Sequence, residues 1–253
     1  MARGALSAAG LGVRYDRRMT APIRSSALLL TLGPLGACAP TTSPVDSAPD
    51  GPQALRFVFP VDTPELIHQT IGVDHDPAVY DGVEELICTN YDGRGFPWCY
   101  DEHDGSDYLL DGGFDTMDAG SVGVIAAADG VVVEISDGHY DRCHGVSSGG
   151  VDCDGYEMIA NFVVLEHEGG VLSRYWHLQS GSVLVTVGQA VRCGEALGRV
   201  GSSGYSSTPH LHFELHDRDG ISVDPYAGAY SQEESFWVEQ GDPEGLPGGA
   251  CAG

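Results

Sequence analysis

The chain has 253 residues, enough for one domain of ordinary size with tails. It contains no lysine, and its 12 arginines stand against 37 acidic residues, a formal net charge of −25. Five arginines precede Cys38, so the remainder is more acidic still. A body of that sign repels phosphate backbones, which excludes nucleic acid as an expected partner.

In chain order, residues 1–37 read as an address rather than a fold. Met19 offers an internal start, Arg24 a positive n-region, and Ala27 to Leu35 a short apolar run. That run falls short of the roughly 20 apolar residues that span a bilayer. It ends in Leu35-Gly36-Ala37-Cys38, which resembles the lipobox of bacterial lipoproteins, where the peptide is cut before the cysteine and the cysteine is lipidated. Arg17-Arg18 keeps a twin-arginine signal open, and a plain cleaved signal is the blander alternative. The expected address is the cell envelope, anchored through Cys38, or the secreted fraction. Ala39 lacks the aspartate that resembles an inner-membrane retention signal, which favours the outer membrane in a cell with two membranes. Residues 38–54, rich in Pro, Ser, Thr and Asp, read as an extended tether.

From residue 55 the pattern changes to short apolar runs separated by Gly and Asp. Ser121 to Ile135 reads as two strands broken at Asp129-Gly130, a hairpin signal. Asn161 to Glu166 and Val171 to His177 form a second expected hairpin about Glu168-Gly169-Gly170. Val183 to Val187, Ala196 to Val200 and His210 to Leu215 add strand-like runs, and no stretch sustains a helical period. The expectation is a mostly β, antiparallel single domain over residues 55–230, with long loops. Residues 231–253 read as an acidic Gly/Pro-rich tail in which Phe236, Trp237 and Cys251 are candidates to pack back. Setting Cys38 aside leaves an even set, Cys88, Cys99, Cys143, Cys153, Cys193 and Cys251, which in an exported chain suggests disulfides. Local pairing favours Cys88–Cys99 and Cys143–Cys153, leaving Cys193–Cys251, with other pairings open.

Three segments concentrate candidate chemistry. His103-Asp104-Gly105-Ser106-Asp107 sets a histidine and a carboxylate four apart, with glycine to permit a bend. Tyr175-Trp176-His177-Leu178 closes a strand, and His210-Leu211-His212 opens one. On a strand His210 and His212 face one side while Leu211 faces the core. Nitrogen and oxygen donors of this kind suit Zn²⁺, and three protein ligands with an open position make a catalytic site. Each motif alone is modest, and a lone His-x-His is more often structural.

Together, HDGSD, YWHL and HLHFEL resemble the H-x-G-x-D, Y-x-H-L and H-L-H-F segments of the lysostaphin/LytM-type zinc endopeptidases, the M23 family. The resemblance spans about residues 100–226 and includes the Gly-rich stretch from Val187 to Glu214. It implies a zinc endopeptidase cutting peptide bonds of bacterial peptidoglycan, with His103, Asp107 and His212 as metal ligands and His177 and His210 as catalytic histidines. The expected partners are peptidoglycan peptide stems or cross-links, and a monomer is expected. Some family members lack the ligands and activate other wall hydrolases, which makes a regulator the alternative. Trp176 is bulky where a small residue is common, Ser207-Thr208-Pro209 departs slightly from the pattern, and the Cys88–Cys99 region is enlarged. His68, His75, His139, His144, His167 and His216 match no ligand position and read as surface or hydrogen-bonded residues.

Overall fold

Alternation of apolar and polar side chains is what lets short segments pair into sheets. The computed structural model describes residues 55–78 and 87–251, so the leader, Cys38 and the tether lie outside the described residues. Its strands are β1 (Ile67–Ile71), β2 (Ser106–Leu110), β3 (Gly123–Ile125), β4 (Gly130–Ser136), β5 (His144–Gly145), β6 (Val151–Asp152), β7 (Phe162–Glu166), β8 (Leu172–Trp176), β9 (Ala190–Val191), β10 (Ala196–Arg199), β11 (His210–His216) and β12 (Ser222–Val223). The main sheet runs β1-β2-β11-β8-β7-β4-β9, with β12 added beside β11. Every pairing in it is antiparallel. Separate ribbons join β3 to β10 and β5 to β6. The protein is therefore mostly antiparallel β.

One face of the main sheet supplies the core. Tyr108 stands opposite Leu211, and Phe213 lies between Ser106 and Tyr175, all fully buried. Phe57 and Trp237, from either end of the described chain, form a parallel bridge and close over this face, with Phe213 5.6 Å from the Trp237 ring. The expected C-terminal tail thus contributes Trp237 to the core, and a Cys193–Cys251 disulfide ties its end. Cys88–Cys99 and Cys143–Cys153 are the other two disulfides.

Two strand expectations are corrected. Asp129-Gly130 does not turn a hairpin, because β3 pairs with β10 while β4 pairs with β7 and β9. The chain changes sheets there, held by side chains that local sequence cannot reveal. The Asp129 carboxylate accepts from the Cys193 N–H, and the Asp129 carbonyl accepts from His167 Nδ1–H, each at 2.7 Å. Glycine follows because a Cβ at residue 130 would lie 3.0 Å from His167 Nδ1 and from the Glu166 carbonyl. The second nitrogen of His167 meets the Ser173 hydroxyl at 2.7 Å, so this buried ring is fully partnered as a neutral imidazole. Burial lowers its pKa accordingly. Val183 to Val187 forms no strand: Leu184 and Val187 are exposed, and one backbone bond from Leu184 to Leu197 carries the alignment.

The second hairpin does form, as β7 and β8 about a short 3₁₀ turn at Glu168–Gly170. The only α-helix among the described residues, α1 (Phe114–Ala119), spans six residues, too short to carry an apolar period, and ends in left-handed Gly120.

Candidate metal centre

β11 is buried along its whole length because both of its faces are covered. Leu211, Phe213 and Leu215 enter the core, while His210, His212, Glu214 and His216 occupy the opposite face. Register then chooses their neighbours. Asp107 on β2 stands directly opposite His212, and Leu109 opposite His210. On the other flank Trp176 pairs with His212 and Arg174 with Glu214. Trp176 packs on Phe162, with ring centroids 4.4 Å apart.

His103 arrives from the loop before β2. Its Nδ1–H donates to the Gly72 carbonyl at 2.7 Å, and the Tyr100 ring stacks on it at 4.2 Å. The glycine of this motif is needed for room rather than for a bend. Gly105 has no left-handed φ, but a Cβ there would come within 2.5 Å of His212 Nε2 and 2.9 Å of the Phe213 carbonyl.

His177 follows β8 with φ 65°, the left-handed region that a bulky side chain enters at a cost. The turn swings its ring toward β11, where it lies 4.6 Å from His210 and 5.8 Å from His212. Its Nδ1–H donates to the Ser203 carbonyl, and that of His210 donates to the Thr208 carbonyl, both at 2.7 Å. The loop between β10 and β11 therefore fixes the tautomer of both rings.

The remaining ring nitrogens crowd one oxygen. Asp107 Oδ1 lies 2.7 Å from His212 Nδ1, 3.2 Å from His103 Nε2 and 3.3 Å from His210 Nε2. His103 Nε2 and His212 Nδ1 are themselves 3.2 Å apart. His212 directs its other nitrogen, Nε2–H, to the Glu214 carboxylate at 3.0 Å. In these tautomers three ring lone pairs and a carboxylate oxygen face one another with no proton between them. Electrostatics favours a positive charge there, either a second proton on a ring or a cation among these groups. His103, Asp107 and His212 form a group whose donor atoms all lie within 4.8 Å of one another. Two imidazoles and a carboxylate suit zinc in charge and donor type. His177, His210 and His212 form an overlapping group.

The electrostatics agree. Burial alone would raise Asp107, but facing His103 and His210 outweigh it and hold the carboxyl well below the usual range. Burial opposes charge on His212 as well, yet Asp107 and Glu214 raise it to about 10. The pair of carboxylates thus favours positive charge at this ring, and a metal at Nδ1 would compete with a proton. His177 lies well below its ordinary value through burial and the neighbouring His210 and His212, so it is a neutral acceptor.

A cavity of about 200 Å³ opens beside Asp107 and His210, walled by Ile71, Tyr100, Leu109, Val151 and Tyr205. Tyr100 directly follows Cys99 and Val151 lies inside the Cys143–Cys153 loop, so two disulfides lie beside walls of the cavity. Sequence reasoning missed Tyr100, Gly72 and the carbonyls of Ser203 and Thr208, since no spacing rule flags a backbone acceptor. Of the other histidines, His75 pairs with Asp224 at 2.8 Å, while His216 joins Glu214 at 2.7 Å and so touches the surroundings of the centre.

The backbone of His177 gives a direct test. His177→Gly and His177→Ala lose the same ring contacts, but only glycine accepts φ 65° without strain. The glycine variant should be more stable in urea by about 1 kcal/mol. Equal stability would show that the left-handed turn stores no strain.

The description "Peptidase family M23" belongs to a family model that matches residues 110–225, a span that begins just beyond Asp107 and includes His177, His210 and His212. The chain is 44% identical over 71 residues to the murein hydrolase activator EnvC of Escherichia coli, covering 28% of this chain and 16% of that protein. It is 30% identical over 134 residues to the peptidoglycan DD-endopeptidase ShyC of Vibrio cholerae, covering 53% and 24%. A crystal structure of a zinc-containing peptidase from Vibrio cholerae aligns with 67% of this chain and 39% of that one, at 23% identity and a TM-score of 0.41. The chain spans only between 10 and 24% of the length of these curated relatives. Residues 110–225, which carry His177, His210 and His212, are thus similar to peptidase family M23.

Proposed function

We propose that this protein is a zinc metalloendopeptidase that hydrolyses peptide bonds of bacterial peptidoglycan. The observation that carries the reading is the convergence of His103, Asp107 and His212 on one point with two further histidines, His177 and His210, beside it. Two relatives support the substrate: ShyC is a peptidoglycan DD-endopeptidase and EnvC a murein hydrolase activator by description.

In this reading His103, Asp107 and His212 hold the metal. The chemistry that a bound zinc supplies is Lewis acidity, which polarises a scissile carbonyl and acidifies water. The rest falls to the chain. His177 is neutral, and its Nδ1–H is spent on the Ser203 carbonyl, so Nε2 is free to take a proton. His210 is anchored the same way at Thr208, and its Nε2 faces the centre, where a proton taken up on it would donate to negative charge developing on the substrate. The cavity walled by Tyr100, Leu109 and Tyr205 receives one side of the peptide next to the reacting bond.

The first 54 residues fit this reading as a delivery system. A leader over residues 1–37 ends at Cys38, a lipidated Cys38 anchors the protein, and residues 38–54 tether a catalytic domain at the envelope. Cells fed a fatty-acid analogue should label the protein, and Cys38→Ser should remove the label. An unlabelled mature protein contradicts the anchor.

The match to EnvC favours one alternative, a domain that activates other wall hydrolases without cutting. Cleavage decides between them. The purified protein with one equivalent of zinc should release fragments with new peptide termini from peptidoglycan, read by mass spectrometry, and a chelator should suppress them. His177→Ala and His210→Ala should each retain zinc while turnover falls about 10²–10⁴-fold. Normal turnover by His210→Ala would refute the assignment, and intact peptide stems with zinc bound would favour the activator.

A further inference from the structure

The two metal-facing nitrogens in this centre are of different kinds. His103 offers Nε2 after donating Nδ1–H to a carbonyl, whereas His212 offers Nδ1. An imidazole without a partner interconverts its tautomers, so something must hold the proton of His212 on Nε2. The nearest acceptor to that atom is Glu214 Oε1 at 3.0 Å. Asp104 Oδ1 is 3.8 Å away and its side chain is largely exposed.

Glu214 is itself held as a carboxylate. Its Oε2 accepts from His216 Nε2–H at 2.7 Å and from the Arg174 guanidinium at 3.3 Å. His216 also faces the Gly220 carbonyl with Nδ1 at 3.2 Å, and its bond to Glu214 raises its pKa. Glu214 is buried on the metal face of β11, two residues from His212, and Arg174 stands across from it on β8. The edge of the His212 ring that carries Nε2 passes over Gly105, where no side chain intrudes.

We propose that Glu214 is a positioning residue of the metal centre: it fixes His212 as the Nε2–H tautomer and so delivers Nδ1 to the metal, with Arg174 and His216 keeping the carboxylate in place. This rests on the reading of His103, Asp107 and His212 as ligands. A carboxylate behind a ligating histidine orients the ring and raises its basicity, and losing such a partner typically weakens metal binding about 10–100-fold. Glu214 does not touch the reacting atoms and carries no step of hydrolysis.

The test is zinc affinity of the full protein, measured by competition against a chromophoric chelator, alongside melting of the chelator-stripped protein. Glu214→Gln preserves shape and an acceptor but removes the charge, and it should bind zinc about tenfold more weakly than the wild type, with the stripped protein still melting in one cooperative step. Glu214→Ala removes the acceptor too and should approach the hundredfold end. Histidine ¹⁵N NMR of the zinc-loaded protein should show the Nε2–H form of His212 populated less in Glu214→Ala than in wild type. Equal zinc affinity in wild type and both variants overturns the inference while leaving the ligand assignment standing. A wild type that takes up no stoichiometric zinc overturns the ligand assignment and the inference together.

Discussion

Three imidazole nitrogens around a single carboxylate oxygen form the constraint on which the site depends. Each ring donates its other N–H outward, to the carbonyl of Gly72, the carbonyl of Thr208 or the carboxylate of Glu214. Those outward bonds leave lone pairs facing Asp107 in a buried setting where bare repulsion is expensive. A cation turns the same contacts attractive. The arrangement is therefore built around a positive charge, and the outward acceptors are as much part of it as the rings.

The sheet makes this convergence cheap to maintain. β11 lies between β2 and β8, so one register sets Asp107 and Trp176 on either side of His212. Because side chains alternate, a one-residue slip would send the histidines into the core and Leu211 into the site. Phe213, packed against Tyr175 and Trp237, resists that slip from the other face. The core and the histidine face are thus two sides of one specification. The disulfides act at the margins: Cys88–Cys99 and Cys143–Cys153 brace loops beside the cavity, and Cys193–Cys251 fastens the segment that brings Trp237 home.

Much of this was legible in the chain where a short-range rule applies. The alternation in His210 to Leu215 shows both the strand and the shared face of its histidines, and Glu168-Gly169-Gly170 marks the β7–β8 turn. Legibility ended where a distant partner decides. Asp129-Gly130 has the composition of a hairpin, but His167 and Cys193 recruit it to pass the chain between sheets. Gly105 looks like a bend residue, yet its reason is the His212 ring more than 100 positions away. Trp237 sits in a stretch whose composition reads as a tail, because one buried aromatic outweighs many polar neighbours without altering their average. Glu214 stands two residues from His212 in the chain, but only the folded strand brings its carboxylate to the His212 ring.

The most direct measurement of the central claim is the protonation of His212 with and without metal, read by ¹⁵N NMR of histidine-labelled protein at neutral pH. Without zinc, His212 should be charged, with both ring nitrogens protonated between Asp107 and Glu214, as its pKa raised to about 10 requires. One equivalent of zinc should strip the proton from Nδ1, give a metal-bound shift there, and leave Nε2–H in place. A ring that keeps both protons in the presence of zinc would mean that the positive charge in this cluster is only a proton, and that the centre is not a metal site.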